Sequence, residues 1–147
     1  MKPLIRAGAL GLLCISLHAQ AQQSQNFDDY VVHYNALNTD LISPQVAKEY
    51  GIRRSASRAM LNVTVIKKEE QSEGTAVRAA ITATAKNLTG QIREIRFREI
   101  NESDEAIYYI GELSVRNLET FDFTLNALPE GAAQTLTVKF RQQFYTE

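Results

Sequence analysis

The chain has 147 residues, with 16 basic and 17 acidic side chains, two histidines and one cysteine. Because the charges nearly balance, neither nucleic acid nor an anionic membrane surface is an expected partner. So few imidazole and thiol groups exclude most zinc and copper sites, and we expect no metal and no cofactor.

Residues 1–21 have the layout of a bacterial secretory signal peptide. Two basic residues precede an apolar run over residues 7–17, and Ala19-Gln20-Ala21 supplies the small residues of a cleavage site. The run is far shorter than the ~20 residues that cross a bilayer, so no transmembrane segment is expected. We therefore expect cleavage after Ala21, a periplasmic location and a single domain over residues 22–147.

Cys14 offers an alternative, since bacterial lipoproteins are cleaved just before a cysteine that follows a short apolar run. Leu13 stands where a small residue is needed, so lipid attachment is the weaker interpretation. Cleavage after Ala21 removes both Cys14 and His18. The exported protein then has no thiol for a disulfide, and His33 is its only histidine.

Residues 22–26 are polar and are expected to form a loose N-terminus. The next segment, residues 30–37, is rich in aromatic and β-branched residues and predicts a strand in which His33 faces away from Tyr34. Ser43-Pro44 is a typical helix start, and Gly51 is a typical stop. The sequence thus predicts a two-turn helix, packed as a cap over one end of the fold.

Alternation of apolar and polar residues predicts the remaining strands. A charged link is expected at residues 67–75. With the first strand the total is seven: residues 30–37, 61–65, 77–86, 92–98, 107–115, 120–126 and 135–144. Short strands without intervening long helices predict a mainly β fold, a seven-stranded antiparallel immunoglobulin-like sandwich with one short helix between the first and second strands.

Catalytic groups are scarce in this sequence. A serine nucleophile would need His33 as its base, and no Gly-x-Ser-x-Gly motif is present. No glycine-rich phosphate loop is present either. We therefore expect a protein that is not an enzyme and assign no catalytic, cofactor-binding or metal-binding residues.

Tyrosine and amide side chains near the ends of the predicted strands suggest a binding surface, because such amphipathic groups are frequent at interfaces. The alternative is that these rings complete the core. The candidate patch consists of His33, Tyr34, Asn35, Gln142, Gln143 and Tyr145.

Several of these segments resemble one family. They are residues 30–39 (YVVHYNALNT), 43–50, 53–55, 61–63, 87–91 (NLTGQ), 106–112 (AIYYIGE) and 143–147 (QFYTE). The chain resembles domain of unknown function 4426, a family of small exported gammaproteobacterial proteins, over nearly all of its length after the signal peptide. The resemblance implies an exported periplasmic protein, and it transfers no catalytic residues.

Export, the sandwich pattern and the missing catalytic groups together indicate a protein that binds a periplasmic or envelope protein, for example by pairing an added strand with an open sheet edge. The alternative is a small-molecule binder or enzyme with a pocket near the His33 strand and the helix at residues 44–50. The oligomeric state is left open by the sequence.

Overall fold

The computed structural model describes residues 23–103 and 106–147, so the predicted signal peptide lies outside the described residues. Within these ranges the fold is mainly β, as predicted. The elements in chain order are β1 Gln23–Asn26, β2 Tyr30–Asn38, a 3-10 turn Thr39–Leu41, α1 Pro44–Glu49, β3 Arg58–Glu69, β4 Ser72–Ala76, β5 Ala79–Asn87, β6 Ile92–Ile95, β7 Phe97–Ser103, β8 Ala106–Ser114, β9 Thr120–Pro129 and β10 Leu136–Gln143. In the same ranges, no helix has the length and apolar character needed to span a membrane.

The strands form two antiparallel sheets. Sheet A has the order β1-β2-β3-β8-β7, with β4 also paired to β3, and sheet B has the order β10-β9-β5-β6. Alternate residues of both sheets point into one shared hydrophobic core, as the period-two pattern predicts. Five aromatic side chains join the sheets there. Tyr34 of sheet A lies on Phe140 of sheet B with ring centroids 4.7 Å apart, and Phe140 stacks on Phe123 at 4.6 Å; Phe121 and Phe144 complete the cluster.

The prediction of seven strands is wrong, because the described residues form ten. The segment expected to be a loose N-terminus contains β1, which pairs with β2 although all four of its residues are exposed. The predicted strand at residues 92–98 is two strands, since the chain leaves sheet B after Ile95 and enters sheet A at Phe97. Both of these side chains face the core.

The third additional strand, β4, lies in the segment expected to be a charged link. It forms a hairpin with β3 that polar side chains stabilise. The Ser72 and Thr75 hydroxyls both donate to the Glu69 carboxylate, at 3.0 and 2.5 Å, and these bonds hold the pKa of Glu69 below its ordinary value. Gly74 has φ +97°, which favours glycine. This hairpin thus depends on polar bonds and backbone geometry, which apolar alternation does not reveal.

The helix forms where the sequence predicts it. Ser43 caps α1 by accepting a hydrogen bond from the Val46 N–H at 3.3 Å, and Gly51 follows with φ +64°. Its position differs from the prediction, however, since it covers the outer face of sheet A and not one end of the fold. A second hydrophobic cluster lies between them, formed by Ile42, Ala47, Ile52, Met60 and Ile110 with Leu37, Tyr50 and Ile100 at its border. Sheet A is therefore covered on both faces near α1.

Candidate functional site

Strand β2 is covered only in part along one edge. β3 pairs with it over its whole length, but β1 pairs only with residues 31–34. Residues 35–38 therefore have no strand partner on the β1 side among the described residues. Here the carbonyl oxygen of Ala36 accepts a hydrogen bond of 2.8 Å from the Gln142 side chain of β10, which belongs to the other sheet.

A groove of about 540 Å³ lies beside this open half of β2. We call it the amide groove because amide side chains contribute much of its polar lining. It is lined by Gln23, Asn35, Leu37, Asn38, Asp40, Leu41, Ala56, Arg141, Gln142, Gln143, Tyr145, Thr146 and Glu147. It thus contains parts of β1, β2, β10 and the C-terminal segment, which are far apart in the sequence.

Hydrogen bonds fix the C-terminal segment against the groove. The Asn38 side chain donates to the carbonyl oxygens of Ala56 at 2.8 Å and Tyr145 at 3.0 Å. The Gln143 amide donates to the Leu118 carbonyl at 2.9 Å, and its oxygen accepts from the Tyr145 hydroxyl at the same distance. The Asn35 side chain, by contrast, has no hydrogen-bond partner among the described residues. The groove is therefore preformed and keeps a free amide.

The structure brings together four of the six residues of the predicted patch: Asn35, Gln142, Gln143 and Tyr145 all line the amide groove. Tyr145 is 59% exposed. The other two lie elsewhere. Tyr34 is buried in the core beneath Phe140, and His33 is half-buried on the outer face of sheet A, opposite Ser24 and Thr64. Neither of these two side chains lines the groove.

One ion pair lies at the rim of the amide groove. Arg141 donates two hydrogen bonds to the Asp122 carboxylate, at 2.6 and 2.9 Å. The bonds and the positive charge lower the pKa of Asp122, and the carboxylate in turn raises that of Arg141. Both groups are exposed to water, so the pair positions the guanidinium but contributes little to stability.

A second groove, of about 610 Å³, lies at the opposite side of the two sheets. We call it the charged groove. It has the same origin, because β6 pairs only with residues 83–86 of β5 and leaves residues 79–82 without a strand partner on that side among the described residues. It is lined by Arg78, Ala79, Ala80, Ile81, Phe97, Glu99, Tyr109, Leu128, Pro129, Glu130, Gly131 and Ala132.

Tyr109 is the central polar group of the charged groove and is only 6% exposed. Its hydroxyl accepts a hydrogen bond from the Ala79 N–H at 2.9 Å and donates to the Glu99 carboxylate at 3.0 Å. Glu99 also contacts the Arg78 guanidinium at 3.4 Å. Burial raises the pKa of Tyr109, and the nearby Glu99 charge raises it further. The hydroxyl is therefore held in its neutral form.

Sequence reasoning missed the charged groove. Arg78 directly precedes β5, Glu99 lies on β7 and Tyr109 on β8, and their spacing contains no local pattern. The one available signal is Tyr109 itself, because a tyrosine at an inward-facing position needs a hydrogen-bond partner for its hydroxyl. Only the fold identifies that partner.

The described residues contain no group of three or more His, Cys, Asp or Glu side chains arranged to hold a metal ion. The polar groups of both grooves are instead amides, hydroxyls and isolated ion pairs. Such groups recognise peptide backbones and other hydrogen-bonding surfaces.

Comparison with known proteins identifies one family. Residues 24–147 match the family described as Domain of unknown function (DUF4426). The chain is also similar to a crystal structure of a DUF4426 family protein from Pseudomonas aeruginosa PAO1, with a TM-score of 0.73 and 31% sequence identity. That similarity covers 87% of this chain and 98% of the other. No curated protein matches the chain.

Proposed function

The chain belongs to the DUF4426 family, and we propose that it is an exported periplasmic protein that binds a protein or envelope partner and is not an enzyme. We propose further that its two sheets form an immunoglobulin-like sandwich. The observation that carries the functional proposal is the open half of β2 beside the amide groove. A strand that lacks a neighbour on one side is a template for an added strand.

The chemistry of the amide groove fits an extended peptide. Main-chain N–H and C=O groups of an added strand would pair with the alternate residues of 35–38 that face away from β3, Ala36 among them. The peptide would take the place of the Gln142 amide that now donates to the Ala36 carbonyl. Asn35 offers both a donor and an acceptor to such a peptide. The exposed ring of Tyr145 adds apolar contact area at small entropic cost.

Export is tested by the N-terminal sequence of the protein recovered from the periplasm. The proposal expects a mature chain that starts at Gln22. A protein that keeps residues 1–21 in the cytoplasm would contradict it.

Partner binding is tested by photo-crosslinking in living cells. A crosslinking amino acid at Asn35 or Gln143, both in the amide groove, should give one discrete adduct with the same protein. The same amino acid at Ala80 in the charged groove, or at Leu88 in the β5–β6 turn, serves as the control and should give none. Both control positions are exposed, as Gln143 is.

A second substitution shows whether the adduct needs the groove itself. The Gln143 adduct should disappear when Asn35→Arg places a bulky charge beside β2, and it should persist with Ala80→Arg. Equal adducts from all four positions, or none from Asn35 and Gln143, would refute binding at the amide groove.

A further inference from the structure

A third recess lies on the outer face of sheet A, underneath α1 and separate from both grooves. Its volume is about 240 Å³, and it is lined by Ile42, Val46, Tyr50, Ile52, Met60, Asn62, Ile100, Glu102, Tyr108 and Ile110. We propose that this recess, the sub-helix pocket, binds a small and mainly apolar molecule that carries one hydroxyl or amide group. This site is independent of the partner protein proposed above.

The walls of the pocket set the apolar character of the ligand. Val46 and Tyr50 come from α1, whereas Met60, Ile100 and Ile110 come from three adjacent strands of sheet A. Interiors of proteins rarely leave voids much larger than a water molecule. Eight waters at about 30 Å³ each would fill this volume, so a ligand the size of a substituted benzene ring fits.

Asn62 sets the polar part of the ligand. It stands on β3 between Asn35 of β2 and Ile110 of β8, and it lines the pocket. Its side-chain oxygen is buried and has no hydrogen-bond partner among the described residues. A buried amide without a partner costs free energy, and a hydroxyl both donates and accepts. A ligand hydroxyl therefore pairs with either end of the Asn62 amide.

Helix α1 provides the entrance. It has only six residues, too few to be stable without the packing beneath it. The Tyr50 hydroxyl, just after the helix, donates to the Glu102 carboxylate of β7 and so joins the two sides of the pocket. Val46 is 39% exposed at the rim. A small displacement of α1 thus admits a ligand without disturbing either sheet.

The test is an NMR titration of the protein purified from cells that express the full chain. The probes are benzyl alcohol, which carries a hydroxyl, and toluene, which does not. Benzyl alcohol should shift the methyl resonances of Met60, Ile100 and Ile110, and it should bind about tenfold more tightly than toluene because of one additional hydrogen bond.

Two substitutions separate the roles of the amide and the cavity. Asn62→Leu should reduce the ratio of the two affinities to about one, since it removes the hydrogen-bonding group. Val46→Phe changes only the rim of the helix and should weaken both probes by filling the pocket. Leu88→Phe, in an exposed turn outside the pocket, is the matched control and should change neither affinity.

Three results would overturn the proposal: no methyl shift with either probe, equal affinity for both probes in the unsubstituted protein, or shifts confined to the amide or charged groove. Val46→Phe keeps the test decisive if Asn62→Leu fails to fold, because the helix position is partly exposed.

Discussion

The amide groove and the charged groove arise from the same architectural feature at opposite sides of the two sheets. In each, a four-residue edge strand covers only half of a nine-residue strand, β1 on β2 and β6 on β5. In each, a side chain from the other sheet then bonds to the uncovered backbone. Gln142 donates to the Ala36 carbonyl, whereas Tyr109 accepts from the Ala79 N–H.

The two grooves differ in how completely their polar groups are paired. In the charged groove, Arg78, Glu99, Tyr109 and Ala79 bond to one another, and the tyrosine is buried. In the amide groove, Asn35 has no partner among the described residues. A paired, buried cluster stabilises the fold, and a free amide is available for recognition. We therefore propose that the charged groove stabilises the fold and that the amide groove binds the partner.

The largest effect is expected at Gly111 of β8. This residue lies against residues 95–97, where the chain passes from sheet B to sheet A. A methyl group there would lie 3.1 Å from the Phe97 ring and 3.2 Å from the Arg96 carbonyl oxygen, and it would collide with Ile95. Gly111→Ala should cost about 1–3 kcal/mol of unfolding free energy in chemical denaturation. Ser114→Thr, which adds a methyl group to an exposed position of the same strand, should be near neutral; equal losses would show that β8 is not constrained at Gly111.

Tyr109→Phe should have the next largest effect. It removes a buried hydroxyl and leaves the Ala79 N–H without its partner, at a cost of about 1–3 kcal/mol. Tyr108→Phe is the matched control on the outer face of the same strand and should change the unfolding free energy little. If Tyr109→Phe is also neutral, the charged groove does not stabilise the fold.

The same residue predicts a pH dependence on the alkaline side. The pKa of Tyr109 is raised above its ordinary value of 10.0 in the folded protein. Its contribution to stability is therefore complete below pH 10 and is lost as the pH rises through the folded pKa. Unfolding measured against pH should show a steeper alkaline loss for the unsubstituted protein than for Tyr109→Phe. Parallel profiles would contradict this.

A smaller loss is expected from Gln142→Leu in the amide groove. The Ala36 carbonyl loses one neutral hydrogen bond, which is worth about 0.5–1.5 kcal/mol. Lys139→Leu, at an exposed position of the same strand whose side chain has no hydrogen-bond partner among the described residues, is the control and should have less effect. The comparison between the grooves fails if Gln142→Leu destabilises the protein more than Tyr109→Phe.

The smallest effect is expected at the rim of the amide groove. The pKa of Asp122 is held below its ordinary value of 3.8, chiefly by the hydrogen bonds from Arg141. Its contribution is therefore present above that value and is lost as the pH falls through the folded pKa. Asp122→Asn should slightly flatten the loss of stability between neutral and acid pH. An unchanged acid profile would show that the ion pair does not persist in solution.

The sequence predicts the strands in which apolar and polar residues alternate regularly, and it predicts the helix that begins with a capping residue. β2, β9 and α1 have such signals, and so do the inward-facing Ile95 and Phe97. It misses β1 and β4, since the first is wholly exposed and the second depends on hydroxyl bonds to Glu69. The sequence also predicts one strand where the structure has β6 and β7. The alternation of apolar and polar residues continues through Arg96, although the chain changes sheets there.

The candidate site was predicted only in part, since four of the six residues of the predicted patch line the amide groove. Asn35, Gln142, Gln143 and Tyr145 stand near strand ends, and long-range pairing brings them together in one groove. Tyr34 enters the core because successive residues of a strand face opposite sides. His33 shares the outer face of sheet A with Asn35, but it lies in the half of β2 that β1 covers, outside the groove. The charged groove needs three strands in register, which no local pattern specifies.

The most direct test of partner binding at the amide groove is the dissociation constant of the purified protein with the partner recovered from the Asn35 adduct. Isothermal titration should show that Asn35→Arg weakens binding at least about tenfold, because the charged side chain obstructs strand pairing along β2. Ala80→Arg in the charged groove should leave the constant unchanged. The opposite pattern, with Ala80→Arg alone weakening binding, would contradict the assignment of partner binding to the amide groove.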